Sequence, residues 1–139
     1  MLVELTAGDP RWVSALPVLQ ELRPHLTPQL LDQVIGEGAT QGLRFTALFE
    51  EKECVAVAGW RIIANTSAIR KLYVDDLCTS SQVRAQGHGS TLLNVLIQMA
   101  KENECSRIEL DSGVQRFEAH RFYLRERMNI DAHHFSLRL

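Results

Sequence analysis

The chain has 139 residues, of which 45% are hydrophobic and 23% charged, and its formal net charge is −2. This length and composition predict one globular domain that buries roughly two thirds of its unfolded surface. The small negative charge argues against a nucleic-acid partner, which an excess or stripe of basic residues would indicate.

The sequence also argues against secretion and against a membrane span. The longest uninterrupted apolar run, residues 54–60, is far shorter than the ~20 residues that a spanning helix needs. The first residues, Met-Leu-Val-Glu, lack the basic and apolar segments of a secretion signal. Three cysteines, an odd number without metal-ligand spacing, favour reduced thiols. We therefore expect a cytoplasmic protein without a metal site.

The first half of the chain predicts one strand, two helices and then a series of strands. Residues 2–5 alternate weakly, as in a short strand. A helix capped by Gly8 or Asp9 follows and ends near Leu22, and a second helix starts at Thr27 and ends in a group of glycines. Three strand-like runs come next, at residues 44–50, 54–64 and 68–79.

The second half predicts a strand between two helices. An amphipathic helix is predicted at residues 91–101, a short buried strand at 107–110 and a last helix at 115–127. The tail, residues 132–139, alternates enough to predict a final strand. This order of elements predicts a mixed α/β sheet with helices on its faces.

A glycine-rich turn, Arg-Ala-Gln-Gly-His-Gly at residues 84–89, lies between a predicted strand and a predicted helix. Glycines let the backbone approach a ligand closely, because they lack a Cβ atom. The first N–H groups of the helix have no intrahelical partner and lie at its positive end, so such a turn can bind an anion. Its spacing matches neither the phosphate loop of nucleoside triphosphatases nor the dinucleotide fingerprint. A turn that only begins the helix is the alternative interpretation.

The turn resembles the Arg/Gln-x-x-Gly-x-Gly/Ala loop of the GNAT superfamily of N-acetyltransferases, which grips the pyrophosphate of acetyl-coenzyme A. The element order resembles that fold over nearly the whole chain. The resemblance implies a mixed, mostly antiparallel sheet with helices on both faces and a splayed central strand pair that admits the pantetheine arm. His88 occupies a variable position and is expected to be exposed. The cofactor-binding residues implied are Leu77, Cys78, Thr79, Arg84, Ala85, Gln86, Gly87, His88, Gly89 and Ser90.

A second motif, Arg116-x-x-Ala119-x-x-Phe122-Tyr123, resembles the Asn-x-x-Ala-x-x-Phe-Tyr helix of the same superfamily. Arg116 replaces an asparagine that often contacts the cofactor, and an arginine could instead reach a cofactor phosphate. Arg127 stands where the superfamily has a glycine that eases a left-handed helix end. Arginine can adopt that conformation only at some cost.

The resemblance implies direct attack of a primary amine on acetyl-coenzyme A, without an acyl-enzyme. Tyr123 is the candidate acid for the departing thiolate, because a phenol with a pKa of about 10 stays protonated at neutral pH. The alternative is a tyrosine that only packs with Phe122. Asp111, at the end of a predicted strand, is the candidate base, and Asp75 and Asp76 are further carboxylates near the predicted site.

The acceptor amine stays open, since the segments that would form its pocket carry both acidic and basic residues. It is expected to be a small-molecule amine or a protein amine, and a homodimer stays open. His133 and His134 lack a third metal ligand at sensible spacing, although either could line the acceptor pocket. The alternatives are a non-catalytic acyl-coenzyme A sensor and a toxin-type acetyltransferase of aminoacyl-transfer RNA, which the negative charge disfavours.

Overall fold

The computed structural model describes all 139 residues and contains one five-stranded sheet, four α-helices and one short 3₁₀ turn. The strands are ordered β1-β2-β3-β4-β5, and the first three pairings are antiparallel. The elements are β1 (Leu2–Leu5), α1 (Trp12–Leu22), α2 (Pro28–Ala39), β2 (Arg44–Glu50), β3 (Glu53–Ile63), β4 (Lys71–Thr79), the 3₁₀ turn (Ser81–Val83), α3 (His88–Glu102), β5 (Arg107–Leu110) and α4 (Phe117–Arg125). The predicted mixed α/β fold is confirmed.

The chain forms two compact units, Met1–Glu109 and Leu110–Leu139. The expectation of a single domain stays a prediction. None of the helices has the length and apolar character needed to cross a bilayer.

In the first unit, α1 buries one face against the sheet. Its buried residues recur at helical spacing, from Trp12 through Leu16 to Leu19, and form one cluster with apolar residues of β2 such as Phe45. The rings of Trp12 and Phe45 meet edge to face with their centroids 5.1 Å apart. The same helix also contacts β3 and β4, and the candidate site lies on β4.

The helix α3 packs on β3 and β4 through a second set of buried residues. Leu92, Leu93 and Leu96 are fully buried and lie outside the cluster that contains α1. Successive residues of a strand point to opposite faces, so fully buried neighbours such as Ala56 and Val57 show that β3 is covered on both sides. The sheet therefore carries helices on both faces, as predicted.

Thr46 is the one buried polar residue in this core, and its hydroxyl accepts a hydrogen bond of 2.9 Å from the indole Nε1 of the buried Trp60. We expect Thr46→Val to lower the free energy of unfolding by about 1–3 kcal/mol, because it leaves a buried indole N–H without an acceptor. Urea unfolding measures the change. Thr40→Val removes an exposed hydroxyl and should cost no more than about 0.5 kcal/mol. Equal effects of the two substitutions would contradict this account.

The predicted end of α2 is confirmed, whereas the predicted start of β4 is wrong. The helix α2 ends at Ala39, between Gly38 and Gly42, and a Cβ at Gly38 would lie 2.6 Å from a side-chain carbon of Leu43. The strand β4 begins at Lys71 rather than at residue 68, because a turn precedes it. In that turn Asn65 accepts hydrogen bonds through its side chain and its carbonyl oxygen.

The predicted final strand at residues 132–139 is also wrong. The structure shows no strand after β5, and residues 128–139 of the second unit have no regular secondary structure. The apolar side chains that suggested the alternation, Phe135 and Leu137, are exposed. Alternation predicts which side chains share a face, but a strand also needs a neighbour for its backbone hydrogen bonds.

Candidate active site

The centre of β4 carries a β-bulge. Gly59 of β3 pairs with Asp76, whereas the next residue, Trp60, pairs with Val74, so Asp75 is an extra residue on β4. A bulge of this kind bends its strand and redirects side chains, and bulges are common beside active sites. The structure places this bulge at Asp75, directly before Asp76.

The bulge brings two carboxylates together, and an arginine holds each of them. Asp75 accepts two hydrogen bonds of 2.9 and 2.8 Å from the guanidinium of Arg61. Asp76 accepts one bond of 2.8 Å from Nε of Arg23, the residue that ends α1. Nη2 of Arg23 also donates to the backbone oxygen of Asp75 at 3.1 Å. The end of α1 is thus bonded to the bulge at two points.

Asp76 differs from an ordinary surface carboxylate. Its side chain is only 17% exposed, and this burial raises its pKa above the model-compound value of 3.8 in spite of the opposing attraction of Arg23. A carboxylate with a raised pKa holds its proton more strongly, which makes it a better proton acceptor near neutral pH. Among the carboxylates of β4, Asp76 therefore has the property that a general base needs.

The predicted cofactor strand, Leu77, Cys78 and Thr79, follows the bulge and pairs in regular register with β3. Cys78 is buried, and its thiol donates a hydrogen bond of 3.0 Å to the carbonyl oxygen of Val18 in α1. Cys78 therefore packs against the helix, which supports the structural interpretation of this cysteine. The predicted gap between β4 and β5 for the pantetheine arm stays a prediction.

The glycine-rich turn leads directly into α3. Ala85 and Gly87 both have left-handed backbone conformations, with φ of +66° and +82°. Gly87 is the N-cap of α3 and supplies no side-chain acceptor, so no side chain caps the first N–H groups of this helix. A Cβ at Gly87 would meet no atom within 4 Å, so the space beside this residue is open. The turn therefore has the uncapped amides and the open approach that an anion site requires.

The helix α3 starts at His88, three residues earlier than predicted, and includes Gly89 and Ser90 in its first turn. The expectation that His88 is exposed is wrong. Its side chain is only 11% exposed, and its Nε2 lies 3.4 Å from a carboxylate oxygen of Glu50 at the end of β2. The early start of α3 places His88 on the helix itself rather than in a solvated loop. Gln86 remains exposed in the turn.

The second unit contains the predicted helix motif. Phe122 and Tyr123 lie on α4 and are half-buried, and their rings meet at a centroid distance of 5.3 Å. Arg116 is the exposed N-cap of α4 and lines a surface depression of about 340 Å³. Asp111 is half-exposed, and its carboxylate lies 3.5 Å from Nδ1 of His134. The structure thus places Arg116, Tyr123 and Asp111 on one unit, and the loop and the bulge on the other.

Comparison with known protein families decides what kind of protein this is. The family described as "Acetyltransferase (GNAT) family" matches residues 12–128. The chain belongs to the GNAT acetyltransferase family. A relative from Bacillus subtilis (strain 168), the uncharacterized N-acetyltransferase YhdJ, is 30% identical over 122 residues, which cover 86% of this chain and 84% of the relative. Membership of an acetyltransferase enzyme family, predicted from the loop and the α4 motif, is confirmed.

Solved GNAT structures share the fold at low sequence identity. The aminoglycoside N-acetyltransferase AAC(6')-Iy in complex with CoA has a TM-score of 0.86 at 8% identity, covering all of this chain and 93% of the other. The aminoglycoside acetyltransferase meta-AAC0020, from an uncultured soil metagenomic sample, has a TM-score of 0.80 at 14% identity, covering all of this chain and 95% of the other. These similarities support the fold alone.

One departure from the expected GNAT motif has a clear structural outcome. Arg127 adopts the left-handed conformation that the missing glycine would take, with φ of +69°. Its N–H bonds to the oxygen of Leu124, and the N–H of Met128 bonds to the oxygen of Tyr123. These two bonds form a Schellman motif at the end of α4. The helix therefore ends in the expected left-handed conformation, which an arginine adopts at a cost in free energy.

The sequence prediction missed the role of two residues at the end of α1, Glu21 and Arg23. Arg23 bonds to Asp76, and Glu21 bonds to Ser81 and Arg84. The paired residues are more than 50 positions apart, so no local pattern could have revealed them. Their only signal was the charge at the C-terminal end of an amphipathic helix.

Proposed function

We propose that the protein is an N-acetyltransferase that uses acetyl-coenzyme A and acetylates a primary amine by direct attack. The observation that carries this proposal is the turn before α3, in which two left-handed residues, Ala85 and Gly87, precede an uncapped helix N-terminus in a GNAT chain. Such a terminus attracts anions, and the pyrophosphate of the cofactor is an anion of suitable size. The aminoglycoside N-acetyltransferase AAC(6')-Iy in complex with CoA has the same fold.

The residues of the chain fit the parts of the cofactor. Residues 84–90 would hold the pyrophosphate through backbone N–H groups, and the exposed guanidinium of Arg116 would contact a phosphate. The backbone of Leu77, Cys78 and Thr79 would pair with the pantetheine arm, as the GNAT resemblance implies. Acetyl-coenzyme A, when bound, supplies an activated thioester. The residues of the chain bind and orient the cofactor and move protons.

We assign the role of general base to Asp76. The attacking amine must be neutral, so a proton has to leave it, directly or through a water molecule. Burial raises the pKa of Asp76, and its hydrogen bond to Arg23 holds the carboxylate in place beside the bulge. Asp111, the carboxylate predicted from the sequence, stays an alternative. Comparing the turnover of Asp76→Asn with that of Asp111→Asn distinguishes the two.

Tyr123 is the proposed general acid that returns a proton to the departing thiolate. A phenol ordinarily stays protonated at neutral pH, and the ring of Tyr123 is held on α4 beside that of Phe122. The support for this role is the match to the GNAT helix motif together with the chemistry of the phenol. The alternative is a packing role alone, and the acetyl-transfer rate of Tyr123→Phe distinguishes the two roles.

The acceptor is proposed only as a class, a small-molecule or protein amine. The aminoglycoside acetyltransferases among the structural neighbours are 8% and 14% identical to this chain, too distant to carry their substrates over. A cytoplasmic location is proposed from the odd number of cysteines, and a homodimer remains a prediction.

Binding of coenzyme A tests the proposal in its simplest form. Both acetyl-coenzyme A and free coenzyme A should raise the melting temperature of the protein, because a ligand that binds only the folded state stabilises it. The rise should grow with ligand concentration. No shift with either ligand at millimolar concentration would contradict the proposed function.

Gly89→Asp should weaken the binding of coenzyme A at least about tenfold, or ~1.4 kcal/mol, in a calorimetric titration. Gly89 is the second residue of α3, so the new carboxylate would compete with the pyrophosphate for the first N–H groups. Gly36→Asp makes the same change at an exposed position of α2, where an added Cβ meets no atom within 4 Å, and should leave affinity unchanged. Equal affinities for the two variants would exclude the turn from the site.

A further inference from the structure

The segment that leads into the proposed cofactor loop, residues 81–84, is bonded to the last full turn of α1. The carboxylate of Glu21 accepts hydrogen bonds from the backbone N–H of Ser81, at 3.1 and 3.2 Å to its two oxygens. One of these oxygens also accepts a bond of 3.2 Å from Nη2 of Arg84. A single side chain thus holds both ends of the segment that runs from β4 toward the loop.

The 3₁₀ turn lacks an ordinary local cap. Ser80, at its N-cap position, makes no side-chain hydrogen bond to it, so Glu21 supplies the missing acceptor from 60 residues away in the chain. Carboxylates are favourable at such positions, because the first N–H groups of a helical turn carry partial positive charge. The contact is therefore a tertiary cap on the segment that precedes the loop.

The residue after Arg84 shows why this cap matters. Ala85 has a φ of +66°, a left-handed conformation that costs free energy in any residue with a Cβ. Such a conformation persists only where its surroundings hold it. On one side the loop continues into α3, and on the other side Arg84 is bonded to Glu21. Arg84 is itself 62% exposed, so without Glu21 little else would fix it.

The helix that presents Glu21 is itself firmly placed. The buried residues Val18 and Leu19 of α1 pack in the core, and the thiol of Cys78 donates to the carbonyl oxygen of Val18. Arg23, two residues after Glu21, bonds to Asp76. The backbone that carries Glu21 is therefore held by the core and by Arg23 rather than by the loop.

We propose that Glu21 is a positioning residue for the cofactor loop: by holding Ser81 and Arg84, it keeps Ala85 left-handed before the ligand arrives. This inference rests on the proposed function for its ligand, coenzyme A. Because the loop is ordered in advance, binding does not have to bear the cost of ordering it. The negative charge of Glu21 would oppose a bound pyrophosphate, so the proposal requires that the ordering effect exceed this repulsion.

The test combines four proteins: wild type, Glu21→Ala, Ala85→Gly and the double variant. We expect Glu21→Ala to weaken binding of free coenzyme A about tenfold in a calorimetric titration. Glycine adopts positive φ without strain, so adding Ala85→Gly should restore the dissociation constant to within about threefold of wild type. Glu37→Ala, on the exposed side of α2, is the matched control and should leave affinity unchanged.

Three results would overturn the proposal. Unchanged affinity in Glu21→Ala would show that the contact does not order the loop, and tighter binding would show that repulsion outweighs ordering. A loss that Ala85→Gly fails to recover would show that Glu21 acts on the cofactor itself or on the whole fold. If Glu21→Ala does not fold, Glu21→Gln serves instead, since it keeps an acceptor for Ser81 but loses the charge that holds Arg84. It should weaken binding by a smaller factor, with the same recovery.

Hydrogen exchange separates this proposal from the proposed function. Without any ligand, the amides of residues 85–88 should exchange faster in Glu21→Ala than in wild type, while those of α2 stay unchanged. Failure of wild type to bind coenzyme A would remove the proposed function but leave this comparison valid. Equal exchange rates in the two proteins would overturn the role of Glu21 whatever the ligand is.

Discussion

Tyr123→Phe is expected to slow acetyl transfer by roughly 10²–10⁴-fold at saturating substrates, the range typical of a general acid. The substitution deletes only the hydroxyl, so the ring still packs beside Phe122 and coenzyme A binding should barely change. A loss in kcat without a loss in affinity is what removal of a proton donor predicts. The rate is measured in a single turnover, so that product release does not obscure the chemical step.

The chain offers a matched control for this experiment, because it contains a second tyrosine, Tyr73, on β4. Tyr73→Phe removes the same hydroxyl from a residue with no proposed catalytic role and should leave the rate near that of wild type. Melting temperatures check that both variants fold. A Tyr123→Phe rate within about threefold of wild type, with chemistry limiting, would leave Tyr123 as a packing residue.

Asp76→Asn should have two opposite effects. Turnover should fall by roughly 10²–10⁴-fold, because the amide cannot accept the proton of the amine. Stability at neutral pH should rise, because burial disfavours the charged carboxylate in the folded state more than Arg23 favours it. A variant that is more stable and less active is the expected result of removing a group that the active site holds at a cost.

The pH dependence of that stability gain follows from the direction of the pKa shift. The folded-state pKa of Asp76 lies above its model value of 3.8, so the folded state binds the proton more tightly than the unfolded state. The stability that this carboxyl contributes is complete below its ordinary pKa and is lost as the pH rises through the raised value. The melting temperatures of wild type and Asp76→Asn should therefore diverge as the pH rises and converge in acid.

Two further variants make the assignment specific. Asp75→Asn alters the neighbouring carboxylate, which is bonded to Arg61, and should reduce stability with little effect on turnover. Asp111→Asn tests the alternative base. If Asp111→Asn loses the rate and Asp76→Asn keeps it, the general base is Asp111 and not Asp76.

Much of the fold could be predicted from the sequence because its signals are local. The Oγ1 of Thr27 caps α2 by accepting a hydrogen bond of 3.1 Å from the N–H of Leu30, and Pro28 occupies the first helical position, so the helix starts where the sequence predicted. Local signals failed where tertiary contacts or turns determine the backbone conformation. Isoleucine is typical of strands, yet Ile69 lies in a turn with a φ of +65°. Its N–H donates a hydrogen bond to the carbonyl oxygen of Asn65 in that turn.

The candidate site likewise has one part that local sequence predicts and another part that depends on tertiary packing. The cofactor loop was predictable, since glycine spacing, a preceding strand and a following helix are all adjacent in the sequence. The bulge at Asp75 and the bonds from Glu21 and Arg23 were not, because they depend on how α1 and β3 lie against β4. Burial of Asp76, which raises its pKa and suggests its role, is likewise a property of the packed structure.

The most direct test of the central claim is acetyl transfer itself. The purified protein is incubated with acetyl-coenzyme A and a panel of primary amines, among them amino sugars, polyamines, amino acids and peptides. Free thiol and the masses of the amines are measured together. At least one amine should gain a single acetyl group in amounts equal to the thiol released, and Tyr123→Phe and Asp76→Asn should abolish most of this product. Release of thiol without an acetylated amine, or no release with any acceptor although coenzyme A binds, would contradict the proposed function.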